Sequence, residues 1–183
     1  KIGVSRTPVR EAVIQLSEES RIIEIFPQRG MRIAPIDVEL VEEARSLRVL
    51  LEKQIAGMCC EMATEEDIKW LQENVGLQEF YMENSRPEMV MQLDDEMHHK
   101  LFMICHRELT YGMCQKLAIH YDRIRSLSVN TVKDNTIIED HRKIIQFIAE
   151  HKKENAMAQM EKHLSRWQLN EGKFRQEFPD YFK

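Results

Sequence analysis

Residues that interrupt helices are scarce in this chain. Of 183 residues only 6 are glycine and 5 are proline, far below what collagen-like or low-complexity chains carry. Beyond Asp37, glycine recurs only at 57, 76, 112 and 172, and proline only at 87 and 179. No apolar run approaches the roughly 20 residues of a membrane-spanning helix. Nothing resembles a signal peptide, so a cytoplasmic protein without membrane attachment is expected. Cysteine is sparse too: Cys59, Cys60, Cys105 and Cys114, with no Cys-x-x-Cys pair. That excludes a disulfide scaffold and suggests reduced thiols in or beside a core. There is no strand pattern after residue 36, no internal repeat and no low-complexity tract. Positive charge is not in excess either. A net charge of −5 argues against a globally basic nucleic-acid binder.

What remains is a mostly helical, soluble composition, 43% hydrophobic and 31% charged. The apolar spacing predicts helices near 38–60, 64–84, 87–106, 109–130, 135–150 and 154–176. Thr64-Glu65-Glu66-Asp67 reads as a capped helix start with acidic first-turn residues. Pro87 suits a helix start, and Asn130 to Asn135 breaks the fourth helix. Six helices in this length make an antiparallel bundle. The eleven methionines fall along these helices and read as core.

The first 36 residues differ. They carry six basic and four acidic side chains, a balance of +2 against −7 for the remainder. Ser5 or Thr7 can cap a helix, and Pro8 suits its first turn. Val9, Ala12, Val13 and Leu16 predict a buried face. Arg6 and Arg10 share one side of the first turns, where guanidiniums reach guanine edges or phosphates. A hairpin follows, with Ile22–Phe26 and Met31–Ala34 as strands and Pro27-Gln28-Arg29-Gly30 as the turn. Gly30 supplies the positive φ and Arg29 sits at the tip. A helix N-terminus beside a basic hairpin is what a winged helix-turn-helix needs.

The runs Gly3-Val4-Ser5-Arg6-Thr7-Pro8-Val9-Arg10-Glu11-Ala12 and Arg29-Gly30-Met31-Arg32-Ile33-Ala34-Pro35 resemble the second half of the DNA-binding domain of GntR-superfamily transcription regulators. The resemblance implies a dimer on a short palindromic operator of double-stranded DNA. Ser5, Arg6, Thr7 and Arg10 would face the major groove, and Arg29 and Gly30 would make the wing contact. It also implies further helices ahead of Gly3, so this chain is expected to bind DNA weakly on its own.

In the body, Asp94 and His98 are four apart on one predicted helical face. His141 and His163 are 22 apart, roughly 33 Å on an unbroken helix. If the chain reverses near Lys152, they come level on antiparallel neighbours. One carboxylate and three imidazoles could then hold Zn²⁺, with Ni²⁺ or Mn²⁺ as alternatives. The pair Asp95/His99 offers a second register. His106, His120 and His151 fit no cluster and read as solvated or capping. The segments Asp94-x-x-Met97-His98-x-x-Leu101, Asp140-His141-Arg142-x-Ile144 and Met160-x-x-His163-Leu164 resemble the metal-binding pattern of the FCD effector domain, found in the FadR branch of the GntR superfamily. Met97 stands where an aromatic residue is usual.

Residues 1–36 would then be the end of a winged helix, and 37–183 an FCD-like ligand-binding and dimerisation domain. Arg48, in Arg48-x-x-Leu51-Glu52, could grip a ligand carboxylate or pair with a neighbouring Glu. Arg123 and Arg125 are further effector-pocket candidates. The expected function is a ligand-responsive regulator, more a repressor than an activator, answering to a small organic acid. A mononuclear metalloenzyme and a regulator with a purely structural metal are the alternatives. No residue is placed as a general base.

Overall fold

A computed structural model describes residues 3, 5–131 and 136–183. It begins with α1 (Arg6–Ser20) and an antiparallel hairpin, β1 (Ile23–Phe26) and β2 (Gly30–Ile33). Ile23 pairs with Ile33 and Phe26 with Gly30. The turn closes through the Arg29 N–H donating to Phe26 O at 3.0 Å, with Gln28 at φ 62° and Gly30 at φ 108°. Gly30 takes that φ without a Cβ clash. The expected buried face of α1 is not buried. Val9 is 39% and Leu16 43% exposed, because among the described residues α1 packs mainly against β1 and the flank of α5. Ser5 holds the N-cap position, but its side chain makes no capping hydrogen bond.

Among the described residues seven α-helices follow: α2 (Val38–Met62), α3 (Glu65–Glu83), α4 (Pro87–Ile104), α5 (Glu108–Thr131), α6 (Thr136–Ala149), α7 (Lys153–Leu164) and α8 (Trp167–Glu177). Asp37 caps α2 by accepting from Glu39 N–H. Thr64 and Asp67 form the reciprocal capping box expected for α3. Ser85, His106 and His151 end α3, α4 and α6 in the left-handed conformation, the usual way to stop a helix within one residue. The reversal near Lys152 lies between α6 and α7 as expected. The break expected between Asn130 and Asn135 falls largely outside the described residues.

One predicted helix is two. The stretch 154–176 divides at Ser165 and Arg166, where both amides bond three residues back, to Lys162 O and His163 O. That tighter winding turns α8 away from α7, and the Arg166 guanidinium closes on buried Asp140.

α2 is the central helix. Its buried row Val41, Ala44, Arg48, Glu52, Ile55 and Cys59 follows helical spacing, and it packs on α4, α5, α6 and α7. Gly57 permits the approach to α7, since a Cβ there would lie 2.9 Å from Met157 Sδ. The main core gathers Ile55, Leu71, Met97, Leu101, Phe102, Ile144 and Ile148. A second cluster joins Ile36 to Tyr121, Ile124, Phe174 and Phe182. There the C-terminus pairs with the segment linking hairpin to bundle: Ile36 N–H donates to Tyr181 O at 2.6 Å, and Lys183 N–H to Ile36 O at 3.1 Å.

Candidate metal centre

Three helices supply the cluster. Asp94 and His98 stand one turn apart on α4, His141 lies in α6, and His163 is in the last turn of α7. One potential ligand atom from each lies within 4.8 Å of all the others. All four are buried, none more than 9% exposed. The Asp94/His98 register is the one brought together. Asp95 instead pairs with Arg125, and His99 stacks on Tyr111 at 4.4 Å.

The ring nitrogens face one another. His141 Nε2 is 3.3 Å from His163 Nε2 and 3.2 Å from Asp94 Oδ1. His163 Nε2 is 3.3 Å from His98 Nε2, and His98 Nε2 is 3.8 Å from Asp94 Oδ2. Bonds of about 2.0–2.1 Å to a tetrahedral ion place neighbouring ligand atoms about 3.3–3.4 Å apart, close to these spacings. Without a cation, converging lone pairs in a buried site would repel. The donor set therefore fits a divalent ion.

Partners on the far side of the rings aim them. The His141 Nδ1–H donates to Gln78 Oε1 at 2.8 Å. His98 Nδ1 abuts Glu52 Oε2, and Arg48 Nε donates to Glu52 Oε1 at 2.5 Å. Such contacts leave Nε2 of His141 and of His98 facing the cluster. His163 Nδ1 is buried with no hydrogen-bond partner among the described residues.

Electrostatics keep the cluster ready for a cation. Burial alone would raise the Asp94 pKa, but Arg125 and the imidazoles outweigh it and hold it well below the usual carboxylate range. Burial also opposes ionisation of Glu52, yet Arg48 and His98 bring it down to about 2. Burial, then His141 and His98, push His163 well below an ordinary histidine. Burial lowers His141 as well, partly offset by Asp94. A neutral His141 and His163 beside an ionised Asp94 suit a metal, which binds deprotonated ligands.

A cavity of about 50 Å³, room for a few waters, opens beside Asp94 and His163. Arg48, Tyr121, Arg125, Ser128 and Arg166 line it, with Val90, Met91, Val129 and Ile137. Arg48 both reaches this cavity and pairs with Glu52, and its guanidinium lies over Tyr121 at 5.3 Å. Arg125 also lines it, but is engaged by Asp94, Asp95 at 2.8 Å and Asp122 at 2.6 Å. Arg123, expected with them, does not. It points the other way along α5 and donates to Ala34 O at 2.7 Å and Pro35 O at 3.5 Å. His120, read as solvated or capping, is buried at 7% exposure, with the Ser20 backbone at the end of α1 as its partner.

Sequence reasoning did not single out Gln78, which acts across to α6, and named Asp140 only within the Asp140-His141-Arg142 run, without the contacts it accepts from Gln159 and Arg166. Glu52 was visible only as a salt-bridge partner four residues from Arg48.

At the other end, Ser5, Arg6, Thr7 and Arg10 are all exposed at the start of α1, and Arg29 and Gly30 at the hairpin turn. A groove of about 470 Å³ between them is lined by Arg6 and Arg10 with Val9, Phe26 and Met31. Among the described residues no helix is long and apolar enough to cross a membrane.

Residues 43–166 match the FCD domain family. The chain is 28% identical over its whole length to the HTH-type transcriptional repressor RspR of Escherichia coli K12, covering 80% of that protein. It is 24% identical over 166 residues, 89% of the chain, to the uncharacterised HTH-type regulator YdhC of Bacillus subtilis, covering 73% of it. Among solved structures, E. coli McbR/YncC superposes over 97% of this chain and 83% of its own, with a TM-score of 0.76 at 17% identity. Streptococcus agalactiae GntR covers 88% of this chain and 80% of its own, with a TM-score of 0.58 at 25% identity.

Proposed function

The chain belongs to the FCD-domain family of GntR-type transcriptional regulators, and from that premise we propose that residues 37–183 form a metal-dependent effector domain controlling the DNA contacts of residues 1–36. The observation that carries this is the buried convergence of Asp94, His98, His141 and His163 beside an arginine-lined cavity. These four would hold the ion, zinc first with nickel or manganese as alternatives. A divalent ion there supplies open positions to a small organic acid. Arg48 and Arg125 orient the acid's carboxylate, and Val90, Met91, Val129 and Ile137 accommodate its carbon chain.

DNA contact falls to Ser5, Arg6, Thr7, Arg10, Arg29 and Gly30, in a cytoplasmic homodimer on double-stranded operator DNA. α5 links the two parts. Tyr121 and Arg125 face the cavity, while His120 and Arg123 reach α1 and the Ala34–Pro35 carbonyls. A shift of α5 on effector binding would move the linker, and by linkage DNA and effector would alter each other's affinity by one factor. Resemblance to RspR, a repressor, favours repression.

The test is elemental analysis of this protein against an Asp94→Ala/His141→Ala variant. About one equivalent of zinc, nickel or manganese in the parent and none in the variant is expected. No metal in the parent after incubation with all three would remove the site. The small cavity also suits a purely structural ion. Cobalt-substituted protein titrated with acetate, lactate and succinate separates the two, because only an effector that reaches the ion changes the visible spectrum.

A further inference from the structure

The bundle buries two thiols that the metal centre does not use. Cys59 lies on α2 and Cys105 follows the last residue of α4, with their Sγ atoms 3.5 Å apart. Both are at most 1% exposed. They belong to a longer seam. Glu52 meets His98 and Cys59 meets Cys105, each pair 46 residues apart, so α2 and α4 run here in the same direction. The thiols therefore sit two turns, about 10 Å, along the seam from the contact that aims His98.

Their surroundings make the thiols unequal. Either sulfur can donate in their contact, and the contact with Cys59, with some help from Arg107, lowers Cys105. The same contact and burial raise Cys59. The turn that follows Cys105 lies at the surface: His106 and Arg107 are exposed, and Met103 just before is 42% exposed.

We propose that Cys59 and Cys105 form a reversible dithiol–disulfide site for peroxide-class oxidants. The Cys105 thiolate attacks one oxygen of hydrogen peroxide, forming an S–O bond and breaking O–O, and the other oxygen leaves as hydroxide. Cys59, giving its proton to that hydroxide, attacks the sulfenic sulfur, forms S–S and expels a second hydroxide, which becomes water by taking up the proton lost when Cys105 ionised. Two thiols lose two electrons in all, and the peroxide becomes two waters. An S–S bond of about 2.05 Å requires the sulfurs to close by roughly 1.5 Å, within the reach of side-chain rotation and slight helix movement. That draws α2 onto α4 two turns from the Glu52–His98 contact. On the metal reading above, it also changes zinc affinity.

The experiment treats reduced protein with hydrogen peroxide, alkylates it in denaturant before and after dithiothreitol, and maps the cysteines by mass spectrometry. The expected result is loss of two of four titratable thiols and one joined peptide pair, Cys59 with Cys105, both reversed by the reductant. In Cys59→Ala, Cys105 should stop at a sulfenic acid trapped by dimedone. Four surviving thiols, a different pairing, or direct passage of parent Cys105 to sulfinic acid would overturn the site. Zinc competition on the reduced and oxidised proteins should differ by threefold or more, and equal affinities would overturn the link to the metal centre. If neither form binds zinc, the metal reading fails while the mapped disulfide stands.

Discussion

Of the four proposed ligands, His141 is the one aimed by a single neutral side chain. Gln78 is fully buried, accepts from His141 Nδ1–H at 2.8 Å, and donates to Asn74 Oδ1 at 2.7 Å. Gln78→Leu keeps most of the volume and removes the acceptor. The His141 proton is then free to move to Nε2, where it would point at His163 and Asp94, 3.3 and 3.2 Å away. Removing a ligand's orienting partner costs about 10–100-fold in metal affinity, or about 1.4–2.7 kcal/mol. The metal-free protein loses about 1–3 kcal/mol as well, because Asn74 Oδ1 is left buried without its donor. Zinc competition against a chromogenic chelator at neutral pH reads the first effect, and thermal melts of the metal-free proteins read the second. Gln78→Glu restores the acceptor and should recover most of the zinc affinity. If the parent binds one zinc and Gln78→Leu binds it within twofold, Gln78 does not orient a ligand, and His141 is not held as argued.

Three further outcomes are expected. Asp67 is lowered to about 2, burial being outweighed by Lys100 and the Thr64 cap. Its folded pKa lies below its unfolded value, so the stability it contributes is present above about pH 4 and lost as pH falls towards 2. With the pair only half sheltered, that is about 1 kcal/mol, and Asp67→Asn should flatten the stability–pH curve there and nowhere else. Arg123→Ala should raise amide hydrogen exchange across residues 34–37, since Ala34 O and Pro35 O lose their guanidinium, and unchanged exchange would deny α5 its hold on the linker. Leu109, Met113 and Leu117 form one row on α5 at 88, 70 and 42% exposure. Light scattering should show a dimer that Leu109→Lys/Met113→Lys converts to a monomer with an unchanged melt, whereas a persisting dimer would place the interface on another face.

Features set by local spacing were legible in the sequence. The Thr64–Asp67 box, Pro87 at a helix start, the Gly30 turn and the reversal near Lys152 each depend on residues within a few positions of one another. The metal cluster was half legible in the same sense. Four-residue spacing placed Asp94 beside His98, but bringing His141 and His163 level needed the α6–α7 reversal. The division of 154–176 was hidden because Ser165 and Arg166 are ordinary helix residues. What draws Arg166 out is Asp140, 26 positions earlier.

The arginines show why charge in a sequence does not reveal charge in a site. Arg48, Arg123 and Arg125 look alike as candidates, yet one pairs four residues along its own helix, one leaves for the linker, and one is held by Asp94 and Asp95 some 30 residues away. An arginine already matched by carboxylates attracts a further anion weakly, because the partners cancel most of its field and each was already paid for in desolvation. An effector carboxylate entering the cavity must compete with Glu52 for Arg48 and with three aspartates for Arg125. The strongest unmatched attraction would then come from the ion, and the arginines would set the acid's orientation more than its affinity. Arg48→Lys, which keeps the charge and loses the planar fork, should therefore relax discrimination among small acids while weakening their binding to zinc-loaded protein by less than tenfold. Calorimetric titration with acetate, lactate and succinate reads both, and a uniform loss of a hundredfold would return the main attraction to Arg48.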